Sequence, residues 1–512
     1  MLMPRNQSTV EDHLLRPGSP VIWLVTLGTM LATLMQSLDT TIANVSLPYM
    51  AGTFAVSYDQ VTWVLTTYIV AAAIMTPPTG WLAATFGRRR LFILSVLGFT
   101  AASALCGLSQ SLATALLSRL IQGISGAALV PLSQATLLDT YPRERHGQAM
   151  AIWGMGVVVG PILGPILGGW LTQNWSWRWV YFINLPVGLV AATVIAANVR
   201  ETSHNRGSRF DFFGFGTISL AIACFQIVLD RGQLLDWFAS PEIVALSVLG
   251  GISLYIFLIH AFTAQDPFIR PDLFRNANFT IGVTFAFLIG LVLYGTMALF
   301  PPLLQNLLDF PVVTVGMLLA PRGVGMMITM MGVGRLTNRL SPKLLIASGL
   351  LVSSYAMWGM AGFSMQIGPW NVFVWGVIQG IGFGLIWVSI TTTAFATLPA
   401  QRRTEAAGIY SLLRNIGSSV GIAALTTLVT RYTQINHADL GANITPFDRI
   451  LQQPPYVRLY NPSTLSGAAL LNTDITRHAS MISYIDAFRL MMILSLTSLP
   501  LVLFIRRRRE NR

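Results

Sequence analysis

Leu38–Pro48 reads LDTTIANVSLP. It lies in the first long apolar run, which begins near Val21, and it puts a carboxylate, Asp39, inside that run with no Lys or Arg nearby. A charged side chain at the centre of a bilayer costs about 2.5–3.5 kcal/mol on insertion scales, so such residues are rare and face a protein interior or a water-filled cavity. Gln36, Thr40 and Asn44 recur at four-residue steps, and Asp39 is three on from Gln36. On a helix these side chains share one broad polar face. That face is expected to look into protein, either as a functional site or as a buried aspartate that only bonds a neighbouring helix.

Composition decides the class. Of 512 residues, 53% are hydrophobic and only 10% are charged, with a mean hydropathy of +0.62. Soluble domains carry about 25% charged residues. The expectation is an all-α integral membrane protein of fourteen spans. The polar residues 1–20 hold no short apolar run with a small-residue cleavage site, so the first apolar run reads as a retained span and 1–20 as a cytoplasmic tail. The net charge of +12 would suit a nucleic-acid binder, but its placement argues otherwise. With the N-terminus inside, most Lys and Arg fall in the inner tails and loops, whereas the short outer loops hold only Arg178 and Arg231. That is the positive-inside pattern, closed by the basic tail 506–512. Both termini are thus expected in the cytoplasm, with some contact to anionic lipid and none to nucleic acid.

The chain repeats itself. GWLAATFGRRR (Gly80–Arg90) is echoed by GRLTNRLSPK (Gly334–Lys343), and Ile121–Ile124 is repeated as Ile378–Ile381 at nearly the same offset. Two matches at one offset imply a duplicated six-span unit. The halves would be residues 21–200 and 278–505, with two inserted spans at 212–262. Parallel repeats with a site at their interface are a transporter architecture.

Arg119 and Gln122 share a face of span four, beside Gly123 and Gly126. At about 1.5 Å per residue, Asp39 and Arg119 both lie roughly 10–14 Å below the outer surface. They could form a proton-linked pair or a static ion pair. In span five, Gly156, Gly160, Gly164 and Gly168 recur every four residues, with Pro161 and Pro165 among them. The glycines allow close helix approach, and the prolines weaken the backbone ladder. A hinge and simple tight packing both fit.

Other features carry less. The tryptophans of WSWRWVYFINLP (Trp175–Pro186) read as an interfacial belt. Asp230, Arg231 and Asp236 in LDRGQLLDWF (Leu229–Phe238) read as solvated. Arg322 and Arg414 sit in apolar surroundings, with cavity-facing and structural readings both open. The outer segment 431–484 shows little periodicity and is a candidate docking loop. Cys106 and Cys224 are expected as free thiols. The histidines have no metal-ligand spacing, and no phosphate-cradling Gly-rich loop or nucleophile elbow occurs. Neither an ATP-driven pump nor an enzyme is expected, and neither a metal nor an organic cofactor.

Taken together, LDTTIANVSLP, GWLAATFGRRR, the span-four stretch Arg119–Gly126, the span-five run Gly156–Gly169, WRWVYFINLP and LDRGQLLDWF resemble the motifs of the fourteen-span drug:proton antiporters of the major facilitator superfamily, EmrB/QacA type. The likeness covers essentially the whole chain, and LDRGQLLDWF with the long outer loop points to the EmrB branch. The resemblance implies a major facilitator fold of two six-helix bundles plus two inserted helices. It implies efflux of amphipathic drugs or fatty-acid-like compounds across a bacterial inner membrane, with a proton as the coupling ion. Asp39 would carry the proton, and Arg119 would hold it off when close. Gln36, Thr40, Asn44, Trp63, Tyr68, Gln122, Trp153, Arg322, Trp375, Gln379, Trp387 and Arg414 are candidate cavity residues. A periplasmic membrane-fusion adaptor and an outer-membrane channel are the implied partners, with 431–484 as the contact. One departure stands out: where the family's loop motif carries an acid, this chain has Ala84, and Asn338 in the second copy. The family's charge relay is therefore not carried over, and gating is expected to rest more on Gly80, Gly87 and Arg88–Arg90, with Gly334 and Arg339 in the second copy. An importer or uniporter on the same fold is the alternative, separable by the direction of flux. A non-transporting membrane protein would need a reactive surface cluster, and the sequence shows none.

Overall fold

The computed structural model describes residues 19–201, 210–336, 340–399, 402–444, 453–454, 456–461 and 464–505. Their regular structure is entirely helical. This follows from the apolar runs: in hydrocarbon each backbone polar group must be satisfied within its own segment. Thirteen helices are long and apolar enough to cross a membrane, or fourteen if the pair Gln60–Met75 and Thr79–Phe86, bent by 60°, is one span. The tails 1–18 and 506–512 and the loop residue Arg339 lie outside the described residues.

The spans, in order, are Pro20–Phe54, the bent pair, Arg88–Leu108, Leu112–Thr140, His146–Asn174, Trp179–Asn198, Phe212–Arg231, Pro241–Thr263, Ala277–Leu307, Thr314–Leu336, Pro342–Met360, Pro369–Phe395, Arg403–Ala442 and Leu465–Phe504. Span one packs on five and six, and span four on two and three; span twelve packs on ten and eleven, and span fourteen on eleven and thirteen. Two bundles of six result.

The bundles meet along two seams. Span five lies against span ten, where a side chain on Gly323 would collide with Ile162, and Gly334 leaves its Cβ position 3.1 Å from the Gly147 carbonyl oxygen. On the face carrying the arginine-rich loops, here called the basic face, the start of span thirteen presses on the bent part of span two. A Cβ on Gly80 would stand 2.7 Å from the Glu405 backbone. The largest hydrophobic cluster crosses this boundary, placing Leu137, Met150 and Trp153 with Met330, Trp387 and Ala407. Gly87, at φ 90°, makes the turn between the bent helix and span three, a conformation that an L side chain adopts only under strain.

Two features differ from the sequence-based expectations. Span thirteen continues to Ala442 and span fourteen starts at Leu465, so much of 431–484 is helical. At about 1.5 Å per residue the 40-residue span thirteen is about 60 Å long, twice a hydrocarbon core of about 30 Å. The two extensions are joined through Asn436–Ser483 and His437–Asn472 hydrogen bonds. The motif Leu229–Phe238 is not simply solvated either. Asp230 accepts from Thr66 of span two, the Arg231 guanidinium lies 4.7 Å over the Trp63 ring, and Trp237 Nε1 donates to Thr427 of span thirteen at 3.2 Å. The inserted helices thus touch both bundles. At the opposite end, Asp211 caps span seven. It accepts from the Gly214 and Phe268 backbone N–H groups and binds His260. Burial works to raise its carboxyl, but these hydrogen bonds outweigh it and hold it below the usual carboxylate range.

Candidate functional site

The polar face of span one ends in protein. Asp39 is fully buried, and its carboxylate accepts three side-chain hydrogen bonds. Arg119 Nη1 donates to Oδ2 at 2.6 Å, while Gln122 Nε2 and Asn184 Nδ2 donate to Oδ1 at 2.9 and 3.2 Å. Arg119 is 1% exposed. Its Nε donates to the Val64 carbonyl at 3.2 Å and its Nη1 also to Gln122 Oε1 at 2.7 Å. The guanidinium carbon lies 4.6 Å from the Tyr68 ring centre and 5.4 Å from that of Tyr181. Span one supplies the acid, span four the cation and one amide, and span six the second amide. The cluster is neutral overall, as a site shielded from water requires.

Span five holds span one in place. Ideal Cβ atoms on Gly160, Gly164 and Gly168 would collide with Ser37, Thr41 and Ile42, whereas one on Gly156 would stop 3.6 Å from Met30. Pro161 lacks the N–H that would bond the Val157 carbonyl. The Ser37 hydroxyl takes that carbonyl instead, at 2.5 Å, and Thr41 Oγ1 donates to the Gly160 carbonyl at 3.1 Å. Span five remains one helix through both prolines. The glycine run is therefore the seat of the helix that carries Asp39.

On the basic face, Asp139 at the end of span four receives Arg88 from the span-three start and Arg403 from the start of span thirteen, the latter at 2.6 Å. Arg88 also donates to Thr404 at 3.1 Å. A charged latch between the bundles thus exists despite Ala84, built on an acid that the sequence reading passed over. Of the neighbouring arginines, Arg89 turns to the Ala196 carbonyl, within its own bundle.

The remaining candidates separate. Gln36 is half-buried on the Asp39 face, whereas Thr40 and Asn44 are exposed further along it. Tyr68 belongs to the Arg119 cluster. Trp63 does not line the space between the bundles; it lies under Arg231. Trp153 and Trp387 are buried across the bundle boundary, their ring centres 6.1 Å apart. Arg414 lies 5.6 Å from the Trp387 ring centre. Arg322 donates to the Leu293 carbonyl and Thr296 Oγ1 at 3.2 and 2.9 Å, between Phe300 and Phe383. Both arginines are buried, with an Nη1 that finds no partner among the described residues. Gln379 is likewise buried with its amide unpartnered among them. Trp375 packs against Tyr355, in the second bundle.

The Major Facilitator Superfamily model matches residues 29–422. The chain is 33% identical to the fatty acid resistance protein FarB of Neisseria gonorrhoeae over 95% of its length and 96% of that protein's. It is 34% identical to the multidrug export protein EmrB of Escherichia coli K12 over 83% of each chain. Among solved structures, the proton:xylose symporter XylE superposes with a TM-score of 0.58 at 13% identity, covering 94% of this chain and 97% of that one. The human organic anion transporter MFSD10 gives 0.57 at 16%, covering 93% and 98%. At such identities these two structures speak for the fold alone. The chain is a multi-pass membrane protein that belongs to the major facilitator superfamily of transporters, within the EmrB branch.

Proposed function

We propose that the protein is a proton-coupled exporter of amphipathic, drug-like compounds, working by alternating access in a bacterial inner membrane. The observation that carries this reading is the buried Asp39, held by Arg119, Gln122 and Asn184 on the helix seated against span five. A proton taken up by Asp39 removes its charge and releases Arg119 from an ion pair that only excellent geometry makes tolerable in low dielectric. The two protonation states therefore favour different packings of spans one, four and five. The Asp139 latch closes the basic face in the conformation described here, while Thr40 and Asn44 are exposed on the other side of Asp39. With the basic face in the cytoplasm, as the positive-inside pattern supports, this is an outward-open state ready to take up a proton and release substrate. A proton moved down about 100 mV supplies about 2.3 kcal/mol.

The substrate reading rests on the relatives' printed names, multidrug export and fatty acid resistance, and on the second bundle. Arg322 and Arg414 give that bundle two buried guanidinium groups beside Phe300, Phe383 and Trp387, a setting suited to an amphiphile with an anionic head. The projecting hairpin of spans thirteen and fourteen, with exposed Tyr432, Ile435 and Leu470, suits a periplasmic adaptor leading to an outer-membrane channel.

The test is substrate-induced proton release in proteoliposomes, wild type against Asp39→Asn. Release in the wild type and not in the variant supports the reading. Equal release moves the proton to another residue. Release in neither, across cationic, neutral and anionic amphiphiles, rejects antiport. Flux out of inside-out vesicles together with protons, or down the compound's own gradient, would reveal an importer or uniporter.

A further inference from the structure

The motif Trp175–Pro186 announces itself by its tryptophans, but one of its residues points the other way. Pro186 has no N–H for the Phe182 carbonyl, and span six is interrupted at Ile183. Asn184 opens the renewed helix and is 1% exposed. Its Nδ2 reaches two acceptors, Asp39 Oδ1 at 3.2 Å and Ser103 Oγ on span three at 2.9 Å. Ser103 Oγ in turn donates to the Tyr181 carbonyl at 2.9 Å. The amide is therefore braced from span three and from its own chain.

That brace separates Asn184 from the other amide on the carboxylate. Gln122 is tied to Arg119 through Oε1 at 2.7 Å, and the same oxygen accepts from Cys106 Sγ at 3.6 Å. Asn184 has no bond to Arg119 among its hydrogen bonds; its other partner is Ser103 on span three. The charged and titratable groups near enough to act on the Asp39 charge are Arg119 on span four, Tyr68 on span two, Cys106 on span three and Tyr181 on span six. The face that span five turns to span one is glycine and apolar side chains, and it adds no charge.

We infer that Asn184 is a positioning residue that sets the proton affinity of Asp39 through a hydrogen bond of its own, beside the Arg119 ion pair. It donates to the carboxylate, keeps it aimed at Arg119, and holds that aim through Ser103. A hydrogen bond to the charged form favours that form, so removing it makes Asp39 take up a proton at higher pH. A bond to a charged group is typically worth enough to move such an equilibrium by about one pH unit, a tenfold change in affinity. The inference rests on Asp39 being the proton carrier proposed above.

The test titrates Asp39 itself, without any transported compound. The protonated-carboxyl infrared band of the purified full-length protein is followed against pH and identified by its loss in Asp39→Asn. In Asn184→Leu, which keeps approximate shape and removes the donor, the midpoint is expected about one pH unit above wild type. Ser103→Ala should move it the same way by less, and Asn184→Ser should move it back toward wild type. An unchanged midpoint in Asn184→Leu overturns the inference, as does the absence of any band that Asp39→Asn abolishes. Should Asn184→Leu not fold, Ser103→Ala carries the same test, and an unshifted midpoint there overturns it. The transport reading fails separately, if drug-triggered proton release survives in Asp39→Asn.

Discussion

The Ser37 hydroxyl on span one donates to the Val157 carbonyl on span five at 2.5 Å, the carbonyl that Pro161 leaves without an intrahelical partner. One helix thus repairs the backbone of the other, and the repair is also the joint between them. Replacing Ser37 by Ala leaves a buried carbonyl unsatisfied, at a cost of about 1–3 kcal/mol. We expect a matching fall in midpoint temperature in detergent, together with slower transport, in Ser37→Ala. An unchanged melting curve would refute this account of the joint.

The same seat separates two neighbouring glycines. A Cβ on Gly168 would sit 2.9 Å from Ile42, whereas one on Gly169 meets nothing within 4 Å. Gly168→Ala should destabilise by about 1–3 kcal/mol through overpacking. Gly169→Ala should be neutral or slightly stabilising, since Ala is the better helix former. Side-by-side melts of the two variants decide the matter, and equal effects would speak against close packing here.

Asp39 and Arg119 should show strong non-additivity. Arg119→Leu strands a buried carboxylate, which costs about 3–5 kcal/mol. Asp39→Leu strands a guanidinium that keeps the Val64 carbonyl and two aromatic faces but cannot shed its charge, so the loss should be at least as large. The double variant should lose less than the sum of the two by at least about 1 kcal/mol. A double-mutant cycle from melting curves measures this, and additivity within error would mean the pair contributes nothing specific.

Asp139 serves arginines from both bundles, so Asp139→Asn weakens two contacts at once. The state open on the basic face should gain population by about tenfold, given about 1–3 kcal/mol for such contacts. Modification of Ala407→Cys by a membrane-impermeant maleimide should speed up accordingly, Ala407 being buried at the boundary and both native cysteines being buried. If Asp139→Asn leaves that rate alone, the latch does not govern the closed face.

Asp211 gives a pH dependence of stability with a definite sign. Its folded carboxyl lies below the usual range, so its contribution is complete above the unfolded value and is lost as pH falls through the folded one. Wild type should therefore lose stability in the acid range below about pH 4. Asp211→Ala, which also loses a helix cap, should be weaker at neutral pH by about 1 kcal/mol and show a flatter acid slope. Parallel slopes would remove Asp211 from the account.

Legibility followed depth and charge. Asp39 and Arg119 stood out because each is a charge inside an apolar run, and helix rise alone put them at one level. Asn184 did not, because a neutral amide next to four aromatics gives no signal until span three is beside it. Asp139 does not stand out either, because it closes span four next to a stretch of arginines where a charge is unremarkable. Its partners come from 51 and 264 residues away, which no local pattern reveals. The helical extensions of spans thirteen and fourteen carry no sustained apolar run, so apolar periodicity does not mark them; the two are joined to each other by hydrogen bonds.

Those extensions also bear on how the flux experiments are read. Reconstitution inserts a membrane protein in both directions, and a mixed population blurs any measured direction of transport. Tyr432 and Ile435 lie exposed on the arm of span thirteen, a helix about twice as long as a hydrocarbon core is thick. A membrane-impermeant maleimide added outside sealed vesicles therefore labels Ile435→Cys only in molecules whose arms point outward. The labelled fraction on a gel counts the orientation of the sample, so the protein carries its own gauge of sidedness.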